Sequence, residues 1–250
     1  RLAAQPEGNY KLKSALITGA SRGIGASVAE LFAKSGYHVI TNYNKNTLSA
    51  NKLCSKIIEA GGSAECIKAD VSKAEEVSQI INKLAPLFPD IVINNAGVAH
   101  YGLLQDMTDK EYDRVMDVNI KGTFNVCRAV LPHMINKRSG RIINISSIWG
   151  RKGAACEAVY SASKAAVIGL TLALAKEVGP SGITVNCICP GVIDTDMISP
   201  FSDEDKAALA NDTPLMRLGS CEDVASAALF FAENSFITGQ ILDVSGGFAL

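Results

Sequence analysis

The sequence predicts an α/β fold, one domain with a parallel sheet covered by helices on both faces. Short β-branched runs alternate with longer helical segments along most of the chain, a glycine-rich turn (TGASRGIG, Thr18 to Gly25) follows the first strand, and polar or glycine residues fall where strands end. Strands separated by helices pair in parallel through right-handed crossovers, which place helices on both faces of the sheet.

The elements follow in order. SALITG reads as a strand, then a helix from about Ile24 to Ser35; HVITNY is next, before a helix through Ala50 to Ala60. AECIKADV precedes a helix from about Lys73 to Leu84, and DIVINNAG precedes one helix from about Asp109 to Ile135. RIINISS leads to the helix carrying Tyr160, and ITVNCICPG and QILDVSGG enclose a helix near Cys221 to Ala232. Together these give a seven-stranded, doubly wound, Rossmann-type sheet. Gly19, Asp70, Asn94, Ser147 and Pro190 stand at the ends of several strands. Ligands of open α/β sheets bind beyond the carboxyl ends of the strands, so these residues converge on one crevice.

Composition bounds the partners. The chain has 250 residues, 48% hydrophobic and 20% charged, and no linker-like stretch divides it. One domain over 11–250 is expected, with 1–10 a flexible end or a cloning remnant. A net charge of -1 argues against nucleic acid, which selects a basic excess. The seven cysteines are scattered, with no C-x-x-C pair, which fits reduced thiols in a cytoplasmic protein. His38, His100 and His133 lie in unrelated segments, so no metal site is expected. AAVIGLTLALA, from Ala165 to Ala175, is shorter than the ~20 residues of a membrane span and reads as a core helix, with no membrane partner.

Gly19, Gly23 and Gly25 open the first helix, where a tight turn lets helix N–H groups approach a pyrophosphate; structural glycine turns look the same when taken alone. Tyr160 and Lys164 are four residues apart and share a helix face, so the ammonium is expected to lower the phenol pKa and make Tyr160 a proton donor. NAD-preferring enzymes usually place an acid after the second strand. From His38 to Ile58 there is none, while Arg22 and Lys45 offer positive charge. NADPH/NADP+ is therefore the expected cofactor, with Lys45 equally readable as a solvated loop lysine.

From about Lys13 to Gly247 the chain resembles the short-chain dehydrogenase/reductase family, through T-G-x-x-x-G-x-G, NNAG at Asn94 to Gly97, Asn119, Ser147, Tyr160, Lys164 and Pro190-Gly191. The resemblance implies a tetrad in which Tyr160 protonates the alkoxide, Ser147 holds the carbonyl oxygen, Lys164 binds the nicotinamide ribose, and Asn119 fixes a water. It also implies cofactor contacts from Gly19, Ser21, Arg22, Gly23, Ile24, Gly25, Asn42, Asp70, Val71, Asn95, Ala96, Gly97, Pro190, Gly191, Ile193 and Thr195. Asp70 would meet the adenine; Thr195 would contact the carboxamide or serve as a helix N-cap. His100, Trp149, Cys156 and Met197 are candidate pocket walls or core residues. The segment from about Asp194 to Met216 would cover the substrate, although SDEDK also reads as a solvated helix face.

Within the family the chain is similar to 3-oxoacyl-acyl-carrier-protein reductases, which implies a carrier-linked or small-molecule ketone and a homotetramer. Lys137, Arg138 and Arg141 are candidates for one carrier-docking patch, but Ser181 stands where a second base is expected. SSIWG with GAACEAVYSASK is also similar to a branch reducing 5-aminopentanone on elongation factor P. A non-catalytic NADPH-sensing module is the third expectation.

Overall fold

The structure, a computed structural model, describes residues 12–196, 198 and 201–248. The 1–10 segment and Met197 lie outside the described residues.

Seven strands form one parallel sheet: β1 (Ser14–Ile17), β2 (His38–Tyr43), β3 (Ser63–Lys68), β4 (Ile91–Asn94), β5 (Gly140–Ile145), β6 (Ile183–Pro190) and β7 (Ile241–Val244). Their order across the sheet is β3-β2-β1-β4-β5-β6-β7. Strands β1, β4 and β6 are buried at every residue, as a sheet covered on both sides requires. The order reverses between β1 and β4, so the crevice opens above their carboxyl ends.

On one face, α1 (Gly23–Lys34) packs beside α9 (Cys221–Glu233) over a core that includes Val28, Phe32, Val224 and Phe231. The other face carries α3 (Ala74–Lys83), α5 (Gly122–Lys137) and α7 (Ala158–Val178), with Ile80, Val126 and Leu174 buried against Leu16, Val92 and Ile142. α2 (Thr47–Glu59) covers β2 and β3.

Three details differ from the expectation. The single helix expected from Asp109 to Ile135 is α4 (Asp109–Met116), a π-turn (Asp117–Lys121) and α5 in succession. One further helix occurs, α6 (Trp149–Lys152), while SDEDK, read as a solvated helix face, begins α8 (Asp203–Asn211) under a Ser202/Asp205 capping box. Finally, the apolar helix is longer than its 165–175 centre. With its trailing turn it spans Ala158–Ser181, and an 18-residue stretch of it has mean hydropathy 1.5, enough by length and composition to cross a membrane. It nevertheless buries Ser161, Ser163, Lys164 and Thr171, as a core helix of this sheet does.

Candidate active site

Thr18 at the end of β1 organises the glycine turn. Its hydroxyl accepts from the N–H groups of Asn95 and Ala96, both at 3.0 Å, and the Asn95 amide donates to the carbonyls of Thr18 and Gly19 at 2.9 and 3.1 Å. The turn is thereby tied to the end of β4. Two glycines are obligatory here. Gly19 has φ +64 and a Cβ on it would lie 2.8 Å from Ala96 Cα; a Cβ on Gly25 would lie 2.5 Å from Asn95 Nδ2. α1 begins at Gly23 with no acid in its first turn and no side-chain cap from Arg22. An uncapped helix end beside close-packed backbone fits a dinucleotide pyrophosphate. Ser21 and Ile24 are half-buried in this turn.

The adenosine end lies beyond β2 and β3. The Asp70 carboxylate accepts from Ser72 N–H at 3.0 Å and Ser72 hydroxyl at 2.7 Å. Burial alone would raise its pKa, but the bonds from Ser72 and the Asn44 amide, with Lys73 nearby, leave it below the usual value. Asn44 was not singled out in the sequence; it stands at the end of β2, where an NAD-selective acid would be placed. Asn42 is turned inward instead, its amide donating to the carbonyls of Ile67 and Ala69 at 3.3 and 3.1 Å. Its side chain therefore braces β2 against β3. Val71 is also buried, and its carbonyl accepts from Asn125 at 3.0 Å.

Asn119, Ser147, Tyr160 and Lys164 come from three regions and are all buried. Asn119 lies on the π-turn, a local widening that often marks functional sites. Its amide accepts from Val98 N–H at 2.8 Å and donates to Val98 carbonyl and Ser163 hydroxyl, each at 2.9 Å. Ser147 follows β5; its hydroxyl accepts from Trp149 N–H at 3.1 Å and hydrogen-bonds the Tyr160 phenol. Lys164 Nζ donates to the Ile145 carbonyl at 2.9 Å and sits 5.8 Å from the Tyr160 ring centre. A Cβ on Gly97 would fall 3.2 Å from that ammonium and 3.4 Å from Asn119 Oδ1, so Gly97 keeps the approach open.

The electrostatics correct one expectation. Burial pushes the Tyr160 phenol up to about 12, outweighing the Ser147 hydrogen bond, and Glu157 adds to the rise. Lys164 does not lower it here: burial brings Lys164 itself down to about 8, so it has lost its charge before the phenol titrates. Sharing a helix face set proximity and left partner choice open. A buried Asn94–Asn144–Thr171 chain, with bonds of 2.8 Å, fixes β4, β5 and α7 behind the tetrad.

The segment after β6 reaches back over the turn. Gly191 packs against Ser245, and Pro190 accepts from Ile148 N–H at 3.0 Å. Ile193 is buried and bridges Gly219, and the methyl of Thr195 would be 3.7 Å from a Cβ on Gly23. Thr195 lies in a bend, and its carbonyl accepts from Ile198 N–H at 3.0 Å. His100 Nδ1 lies 3.7 Å from Glu111, and His100 and Cys156 line a cavity of about 10 Å³. Trp149 stacks edge-on to Phe248 at 5.7 Å. A larger cavity, about 840 Å³ and lined by Ser14, His38 and Leu87, contains none of the site residues. It runs along the edge strand β3 from Ser63 to Lys68, and the chemistry gathers elsewhere, beyond the ends of β1, β4 and β5.

A family model described as short chain dehydrogenase matches residues 13–206. The chain belongs to the short-chain dehydrogenase family. It is 42% identical over 239 residues to the 3-oxoacyl-[acyl-carrier-protein] reductase FabG of Staphylococcus epidermidis, covering 94% of this chain and 98% of the relative. With FabG of Chlamydia muridarum the identity is 44% over 244 residues, covering 95% and 97%. A crystal structure of the Brucella melitensis 3-oxoacyl-[acyl-carrier protein] reductase with bound NAD matches at TM-score 0.89 and 37% identity, covering 96% of this chain and 92% of that one. This short-chain dehydrogenase is thus an oxidoreductase of the C=O/CH–OH couple, 3-oxoacyl-acyl-carrier-protein reductase-like, with a nicotinamide cofactor.

Proposed function

We propose that this short-chain dehydrogenase is an NADPH-dependent reductase of a carrier-linked 3-oxoacyl ketone, with Asn119, Ser147, Tyr160 and Lys164 as its catalytic set. The observation that carries the reading is the convergence of those four buried side chains beside the glycine cradle. The cofactor supplies the hydride when bound. Arg22 and the absence of an acid after β2 favour its 2'-phosphate form. Ser147 holds the carbonyl oxygen within reach of Tyr160. The phenol, protonated throughout the neutral range, gives its proton to the oxygen as negative charge develops there. Lys164 holds the nicotinamide ribose. Asn119 keeps the wall beside Lys164 in place through Val98 and Ser163.

Carrier docking is half supported. Arg138 donates to Pro180 carbonyl at 3.1 Å, beside Ser181, so the base that remains borders the position where the second is missing. Lys137 is paired with Asp90. Those facts give the second reading, reduction of 5-aminopentanone on elongation factor P, a specific footing, and Glu157 adds to it. Burial raises this carboxyl, it has no hydrogen-bond or ion-pair partner among the described residues, and it begins the turn before Tyr160. An unpaired acid there would suit a substrate amine. Purified protein with NADPH or NADH and a panel of a 3-oxoacyl thioester, a simple ketone and an aminopentanone-modified protein decides among them. Loss of the cofactor absorbance band is expected fastest with NADPH and the thioester; NADH preference would defeat the cofactor reading, and exclusive turnover of the amino ketone would replace the substrate.

We also propose a cytoplasmic homotetramer without membrane attachment. Two sets of exposed apolar residues support it: Tyr112, Phe124 and Leu172 on α4, α5 and α7, and Phe230, Phe236 and Leu242 around α9 and β7. Two self-complementary surfaces on one subunit generate a tetramer. Light scattering at micromolar concentration is expected to give about four times the chain mass, and a monomeric mass would refute the assembly.

A further inference from the structure

We propose that Asp196 sets how strongly the protein discriminates between the two nicotinamide cofactors, by holding Arg22 away from the 2'-phosphate. The inference rests on the NADPH reading and extends it to a residue that touches no cofactor in that reading. Arg22 Nη1 lies 3.4 Å from the Asp196 carboxylate, and the two side chains are 70% and 65% exposed. The contact joins residues 174 positions apart: the glycine turn after β1 and the segment after β6.

The phosphate that distinguishes NADPH belongs to the adenosine ribose, on the β2 side of the turn, where Asn44 and Lys45 follow β2. Asp196 reaches Arg22 from the β6 side. The segment after β6 crosses back over the glycine turn to place that carboxylate on Arg22, so a 2'-phosphate must compete with Asp196 for the guanidinium, whereas a cofactor with a free 2'-hydroxyl leaves the pair intact. The ion pair is a cost charged to NADPH alone.

Its size is limited by exposure. A solvated pair at this separation shifts an equilibrium by about fivefold at most, and salt weakens it further. Asp196 is thus a positioning residue whose effect appears in the ratio of two affinities.

Calorimetric titration of NADPH and NADH into wild type, Asp196→Asn, Arg22→Ala and the double variant tests this, at low salt and at about 0.5 M salt. In Asp196→Asn the NADPH dissociation constant is expected to fall about two- to fivefold with that for NADH unchanged, and the gain is expected to vanish in the double variant and shrink at high salt. A wild type that binds NADH as tightly as NADPH would overturn the cofactor reading and this inference with it. If NADPH is preferred but Asp196→Asn leaves the ratio unchanged, the inference alone fails. It fails equally if the variant tightens both cofactors alike, or if its effect persists without Arg22, since either result would reflect general charge relief near the phosphates.

Discussion

Tyr160→Phe is expected to keep the fold and NADPH binding while losing ketone reduction by about 10²–10⁴-fold, the usual worth of a positioned general acid. The ring lies in a buried site between Ser147 and the α7 backbone, and phenylalanine fills the same volume. Only the hydroxyl disappears, and with it the bond to Ser147 and the proton that the developing alkoxide requires. Because burial holds the phenol at about 12, the acid form predominates throughout the neutral range. The loss in turnover is therefore expected to be similar from pH 6 to pH 8. Turnover on the best panel substrate, paired with a cofactor titration, checks both halves. Wild-type turnover in a variant whose mass is confirmed would remove Tyr160 from the catalytic role.

Much of this site is local in the sequence, and that part is legible. β2 matches HVITNY from end to end because β-branched and apolar residues fill it and a helix start follows at Asn46. The glycine turn carries its own requirement, since Gly19 needs a positive φ and Gly25 needs an absent Cβ. α8 was also open to reading: Ser202 with Asp205 is an N-terminal capping signature, as Ser220 with Asp223 is for α9. What stayed hidden depends on distant partners. The π-turn at Asn119 interrupts a helical pattern that no proline or glycine pair marks, and its amide is anchored by Val98 and Ser163. The four-residue spacing of Tyr160 and Lys164 gave their shared face, but the Ile145 carbonyl that takes the ammonium comes from β5. Asn42 and Asn44 share strand parity, but Asn44 lies past the end of β2: one side chain braces β2 against β3 and the other is near Asp70.

Lys164→Met is expected to abolish most reduction and weaken NADPH binding, yet to make the protein more stable at neutral pH. The ammonium is fully buried, and burial lowers its pKa from 10.5 to about 8 despite the bond to Ile145. Below about pH 8 the lysine is charged in both folded and unfolded chains, so the folded state bears the whole desolvation penalty. Between about pH 8 and 10.5 the unfolded chain binds more protons than the folded one, so wild-type stability rises with pH through that window and falls as pH is lowered. Methionine has a similar length and no charge to desolvate. Subtracting the lost hydrogen bond leaves a gain on the order of 1–3 kcal/mol at pH 7, or about 2–10 °C in Tm. Thermal melts at pH 7 and pH 10 are expected to show a clear gain at the first that narrows at the second. A variant that melts below wild type at both values would mean the ammonium stabilises the fold on balance. The lysine would then be held by a stronger partner than the Ile145 carbonyl, and the site would not be strained for function in the way its burial implies.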